Sequence, residues 1–197
     1  MPADTLAILA MLFLVVGALY ASVGHAGASG YLAVMALVGV EAAVMRPTAL
    51  SINVLVAAIA FTQFARAGHF SWALLWPFAV ASIPAAYLGG LIQLPQHALK
   101  IAIGVVLVLT AARMAFVAWR PPKAVLQPRR PSISVALAVG SGLGFLAGLT
   151  GTGGGIFLSP VILLMGWSAP TRTAAPSSIF ILVNSVAWLG GLASRGW

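Results

Sequence analysis

The chain has 197 residues, of which 61% are hydrophobic and only 6% charged, with a mean hydropathy of +1.08. Soluble domains carry about 25% charged residues, so these values exclude an ordinary soluble globule and describe an all-α polytopic membrane protein. Ten Lys and Arg face only two acids, Asp4 and Glu41, for a formal charge of +8; the arginines mostly sit singly at the ends of apolar runs, without the dense basic face that nucleic acid requires. Nucleic acid is therefore excluded as a partner, and the lipid bilayer is expected. The absence of cysteine excludes disulfides, thiolate zinc sites and iron–sulfur clusters together.

A hydrocarbon core about 30 Å thick is crossed by about 20 apolar residues in a helix. In chain order, runs of that kind cover 5–23, 47–65, 71–92, 97–119, 133–150 and 172–193. Two shorter runs, 30–45 and 154–168, each follow a glycine-rich stretch and are short for a crossing. Six to eight membrane segments are expected. The first run is led by Asp4 rather than by basic residues, and no cleavage site resembles that of a signal peptide, so it reads as a retained helix. RPPKAVLQPRRP, residues 120–131, contains four basic residues and four prolines, which prevent a buried helix. The positive-inside rule makes this loop cytoplasmic. It separates a first membrane unit, 1–119, from a second, 132–197. Counting back, with the short runs crossing, puts Arg66 and His69 on the cytoplasmic side and the N-terminus outside. A re-entrant 30–45 would switch the N-terminus.

Ala21–Ser51 aligns with Ala147–Ser177 at a constant offset of 126 (172 − 46), and the informative matches are Gly27 with Gly153, Arg46 with Arg172 and Ser51 with Ser177. Five runs separate the starts of the two units if each crosses, and an odd number inverts the second. The expected architecture is thus two inverted structural repeats with glycine-broken half-helices, an arrangement found in secondary transporters.

The second unit carries GLTGTGGGIFLSP, with Gly151, Gly153, Gly154 and Gly155. Backbone inside a membrane leaves the helical pattern only where protein or a water-filled cavity satisfies its polar groups. Unpaired N–H groups at the head of the following half-helix, together with its dipole, favour an anion. The first unit offers a looser version, GHAGASG at 24–30, with Gly27, Ser29 and Gly30. Arg46 and Arg172 stand at the heads of the helices that follow, and a guanidinium fork suits oxyanions. Ser51, Asn53, Ser177, Ser178 and Asn184 add hydroxyl and amide groups. With almost no carboxylates available, a Na⁺ site or carboxylate proton relay is disfavoured, so a small anion is the consistent cargo. Of the histidines, only His25, beside the first glycine cluster, stands out as a candidate proton carrier. No metal and no cofactor are expected.

GASG at 27–30 also matches the Gly-x-Ser-Gly of rhomboid-type intramembrane serine proteases, with Ser29 as nucleophile. Its repeat counterpart GGGI lacks the serine, and a Ser–His dyad needs hydrogen-bond contact, so enzyme activity ranks behind transport. GTGGGI has neither the Gly-Lys-Ser/Thr of a phosphate loop nor the third glycine of a dinucleotide fingerprint. Trp72, Trp76, Trp119, Trp167, Trp188 and Trp197 lie mostly toward segment ends, as in aromatic belts.

GLTGTGGGIFLSPVILLMG followed by RTAAPSSIFILVNS resembles the second-half signature of the TauE/SafE sulfite-exporter family, and RPTALSINVLVAAIAFTQFARAGHF resembles the first half of one of its branches. The resemblance covers roughly half the chain. It implies a multi-pass transporter of the bacterial inner membrane, with two related halves, that moves sulfite, sulfoacetate or another small sulfur-containing or organic anion. The glycine elements at 27–30 and 151–155, with Ser51, Ser177 and Ser178, would fall at its central site. It also implies further membrane segments after the point where this sequence stops. Two expectations follow: a shortened copy, or a chain that borrows the missing wall from another subunit, as in a homodimer. The alternative function is then a truncated or accessory subunit without transport of its own.

Overall fold

A computed structural model describes residues 3–92 and 130–194 and, between them, 95, 97–98, 101, 104–105, 108, 112 and 119. The run expected at 97–119 and the basic loop at 120–131 fall almost wholly outside these residues. The described part is all-helical: α1 (Ala3–Ala21), α2 (Ala28–Leu37), α3 (Ala42–Arg66), α4 (Trp72–Leu91), α5 (Ile133–Thr150), α6 (Gly155–Leu164) and α7 (Pro170–Ala193). Of these, α1, α3, α4, α5 and α7 are long and apolar enough to cross a membrane. Rows of leucine, isoleucine and valine, among them Leu14, Leu19, Leu55, Val80 and Val186, are exposed on their outer faces, where a bilayer rather than water would meet them.

Local sequence sets the helix ends. Ser132 caps α5 by accepting from the Val135 N–H, and Pro170 stands at the start of α7, where a missing N–H is harmless. The two short helices are each ten residues long, or about 15 Å at 1.5 Å per residue, half the thickness of a hydrocarbon core. Each starts at a glycine in the left-handed region: Gly27 with φ 90° before α2, and Gly154 with φ 83° before α6. Side chains other than glycine's rarely tolerate this conformation. Gly151, at φ 73°, ends α5 in the same way, its N–H bonded to the Ala147 carbonyl at 2.8 Å. Both glycine stretches are therefore real interruptions of the helical backbone.

After each interruption the chain turns back. Along α2, Ser29 meets Tyr20 and Tyr31 meets Phe13, so α2 runs antiparallel to α1. Gly155 lies against Ile181, and the Ser159 hydroxyl donates to Ser177 Oγ at 2.7 Å, so α6 runs antiparallel to α7. The order of long helix, break, half-helix and long helix thus occurs twice, as α1–α2–α3 and as α5–α6–α7. The long helices α3 and α7 pack antiparallel: Arg46 lies by Trp188, while Ala57 shares a cluster with Ile181.

The helices α4 and α5 lie parallel and closer than side chains normally permit. Gly140, Gly144 and Gly148 of α5 face the backbone of Phe78, Ser82 and Ala86 of α4. Both sets recur every fourth residue, which lines up small residues so that two backbones touch. Against this pair, Leu75, Phe78, Leu158, Ile162 and Phe180 form one apolar core, and Tyr31, Leu32, Met35, Met45 and Ala49 form another around α2 and α3.

Candidate functional site

The two breaks face the opposite units. Gly24 lies against the backbone of Ala174 in α7, and the Ser178 hydroxyl donates to the Gly24 carbonyl at 2.9 Å. Gly151 lies against the Arg46 side chain in α3; Arg46 Nη1 donates to the Leu149 carbonyl at 3.3 Å, and Asn53 Nδ2 reaches the Thr152 carbonyl at 3.5 Å. The first break is thus closed onto α7 and the second onto α3.

The second break holds the stronger chemistry. Arg46 is only 8% exposed, and its guanidinium carbon sits 5.9 Å from the centre of the Trp188 ring, within the range of a cation–π contact. Asp4 and Glu41 are both exposed, so neither carboxylate neutralises Arg46 from within the core. A buried charge left unpaired costs several kcal/mol, and the Leu149 carbonyl and the Trp188 ring offset only part of that. Asn53 and Ser185 crowd Gly153 nearby, where a side-chain carbon would lie 2.7 Å from Asn53 Nδ2 and 2.9 Å from Ser185 Oγ. Asn53 Oδ1, Asn184 Oδ1, Ser185 Oγ and Trp188 Nε1 are buried without a hydrogen-bond partner among the described residues.

The first break, residues 24–30, contains no Arg or Lys. Ser29 Oγ pairs with the Tyr20 hydroxyl at 3.2 Å. The buried Tyr31 hydroxyl, without a hydrogen-bond partner among the described residues, packs against Gly17 and Gly27. Gly30 packs against Val16.

The structure separates the residues that the sequence grouped. Arg46, Asn53, Gly151, Gly153 and Gly154 come together at the second break, with Gly155 against Ile181 just beyond it. Ser177, Ser178 and Asn184 are buried in α7, where Asn184 Nδ2 bonds its own helix at the Phe180 carbonyl, 2.8 Å away. Ser51 is exposed on α3, and Arg172 is exposed in the first turn of α7. The reason is one of register. The left-handed glycines recur as Gly24 and Gly151, Gly27 and Gly154, Gly39 and Gly166, all 127 apart (151 − 24, 154 − 27, 166 − 39), rather than the 126 that matches the two arginines. At 127 the counterpart of Arg46 is Thr173, buried with its hydroxyl on the Ala169 carbonyl at 2.8 Å. Arg172 lies one residue earlier, roughly 100° around the helix.

Ser185 and Trp188 were not among the expected site residues. Ser185 follows Asn184 in an otherwise apolar stretch, and a polar residue there is a usable signal. Trp188 looked like a belt residue near a helix end, but it is only 4% exposed, and composition carries nothing that distinguishes it.

Residues 9–197 match the family model described as Sulfite exporter TauE/SafE. The chain belongs to this family. As a TauE/SafE chain it is a multi-pass membrane transporter, in accord with its apolar helices. It is similar to "Probable membrane transporter protein y4hK" of Sinorhizobium fredii (strain NBRC 101917 / NGR234), with 44% identity over 196 residues that cover 98% of this chain and 79% of that protein. No solved structure matches this TauE/SafE chain significantly.

Proposed function

We propose that this chain carries a small anion, such as sulfite, sulfoacetate or a related organic anion, across a bacterial inner membrane by alternating access. The observation that carries this reading is Arg46: a buried cation without a carboxylate partner among the described residues, set against a helix break in a transporter family. The head of α6 adds N–H groups that have no partner four residues back and a dipole that favours negative charge. Two hairpins, α1–α2 and α5–α6, with α3 and α7 antiparallel between them, support an inverted arrangement in which the two breaks open to opposite sides.

Sidedness follows if residues 120–131 are cytoplasmic. Helix α5 then starts inside, and α4, parallel to it, does too, with Arg66 and His69 on that side. Helix α3 starts outside, and the α1–α2 hairpin begins and ends there. The N-terminus stays outside although α2 turns back, because α1 and α2 together make no net crossing.

Proteoliposomes containing only this chain are expected to show saturable uptake of labelled sulfite or sulfoacetate. Arg46→Gln should reduce uptake by about a hundredfold, the order expected when one partner of a buried charge contact is removed. Arg172→Gln should reduce it by less than about threefold, as for an exposed charge. Absence of saturable flux in the wild type would favour an accessory subunit, and equal losses in the two variants would contradict the burial argument.

A further inference from the structure

The Trp188 ring of α7 sits between α4 and α3. A side-chain carbon at Gly90 of α4 would fall 2.8 Å from the indole Nε1, so the glycine makes room for the ring. The Arg46 guanidinium of α3 lies over the same ring, 5.9 Å from its centre. Trp188 is 4% exposed and Arg46 8%.

Packing alone is a poor account of this tryptophan. Its Nε1–H is buried without a hydrogen-bond partner among the described residues, a cost that a phenylalanine or leucine at the same place would avoid. What the indole offers instead is the ring face that attracts a cation most strongly, and the attraction grows where water is excluded. Arg46 has need of such a face. One of its N–H donors goes to the Leu149 carbonyl at 3.3 Å, while Asp4 and Glu41, the chain's two acidic side chains, are exposed.

On one half of its cycle an anion carrier meets this charge with its cargo. On the other half it turns over without cargo, and a guanidinium left unpaired in the core opposes that step. A carrier in which nothing else met the charge would be confined to exchanging one anion for another.

We propose that Trp188 is a positioning residue that stands in for the cargo. Its ring face holds the Arg46 charge through the anion-free half of the cycle, so the carrier moves anion net rather than by exchange alone. This rests on the anion-transport reading and adds the mode of transport to it.

The test compares labelled sulfite uptake into proteoliposomes free of sulfite, which requires anion-free return, with uptake into proteoliposomes loaded with unlabelled sulfite, which does not. The pH is equal on both sides, and potassium with valinomycin clamps the membrane potential. The wild type is expected to show both fluxes. Trp188→Leu should lower net uptake about thirtyfold, the factor that a desolvated cation–π contact carries, and exchange by no more than about threefold. Fluorinated tryptophans at position 188 keep the shape and the Nε1–H while draining the ring face, so the ratio of net uptake to exchange should fall with each added fluorine. A wild type confined to exchange, or a ratio unchanged in Trp188→Leu or along the fluorinated series, overturns this proposal and leaves anion transport standing. No saturable flux of either kind overturns both. The fluorinated series decides the matter even where Trp188→Leu fails to insert.

Discussion

Gly144→Val is expected to lower the thermal midpoint of the solubilised protein by on the order of 10 °C. A side-chain carbon at Gly144 would fall 2.6 Å from Ser82 Cα and 2.7 Å from Ser82 Cβ, so α4 and α5 would have to move apart. They cannot part locally, because Gly140 and Gly148 hold the same backbone contact one turn to either side. Overpacking of this kind costs about 3 kcal/mol, and in a chain of this size each kcal/mol shifts the midpoint by roughly 2–4 °C. Gly142→Val is the control. Nothing lies within 4 Å of its added carbon, and an exposed substitution there should stay within about 0.5 kcal/mol. Equal shifts in the two variants would show that the glycine ladder does not set the spacing of the helices.

The second large effect concerns flux rather than folding. Gly153→Ala should reduce uptake by about a hundredfold while a folded protein is still recovered. Part of the effect is conformational: Gly153 has φ 74°, where a side chain costs roughly 1–2 kcal/mol. The rest is steric, because the new methyl group would lie 2.7 Å from Asn53 Nδ2 and 2.9 Å from Ser185 Oγ and force both polar side chains to shift. Gly39→Ala separates the two contributions. Gly39 has φ 78° but nothing within 4 Å of its added carbon, so it carries the strain alone and should lose less than about threefold. If the two variants lose flux equally, backbone strain explains the effect and Gly153 does not lie on the anion's path.

These contrasts show how far sequence reasoning reaches. The apolar runs at 133–150 and 172–193 became α5 and α7 within two residues at each end, because a helix in hydrocarbon must satisfy its backbone internally and so needs a long apolar run. The interruptions at 27 and 151–154 were equally legible, since repeated glycine in such a run has no helical use. The reading in which 30–45 crosses already required α2 to run back along α1, the sense that Ser29 by Tyr20 and Tyr31 by Phe13 show.

What composition and spacing could not supply was angular position. Arg46 and Arg172 share a residue type, a helix and a distance to serine, yet one is buried beside a break and the other is exposed, because the backbone repeats at 127 and the arginines at 126. On a helix, a register error of one or two residues turns a side chain by roughly 100–200°, and only the packing of α3 and α7 against the opposite breaks fixes which way it faces. The same packing brought Ser185 and Trp188 inward. The chain's letters settled that it crosses a bilayer and where its helices break; which of its few polar side chains meet at those breaks was decided by how the two units lie against each other.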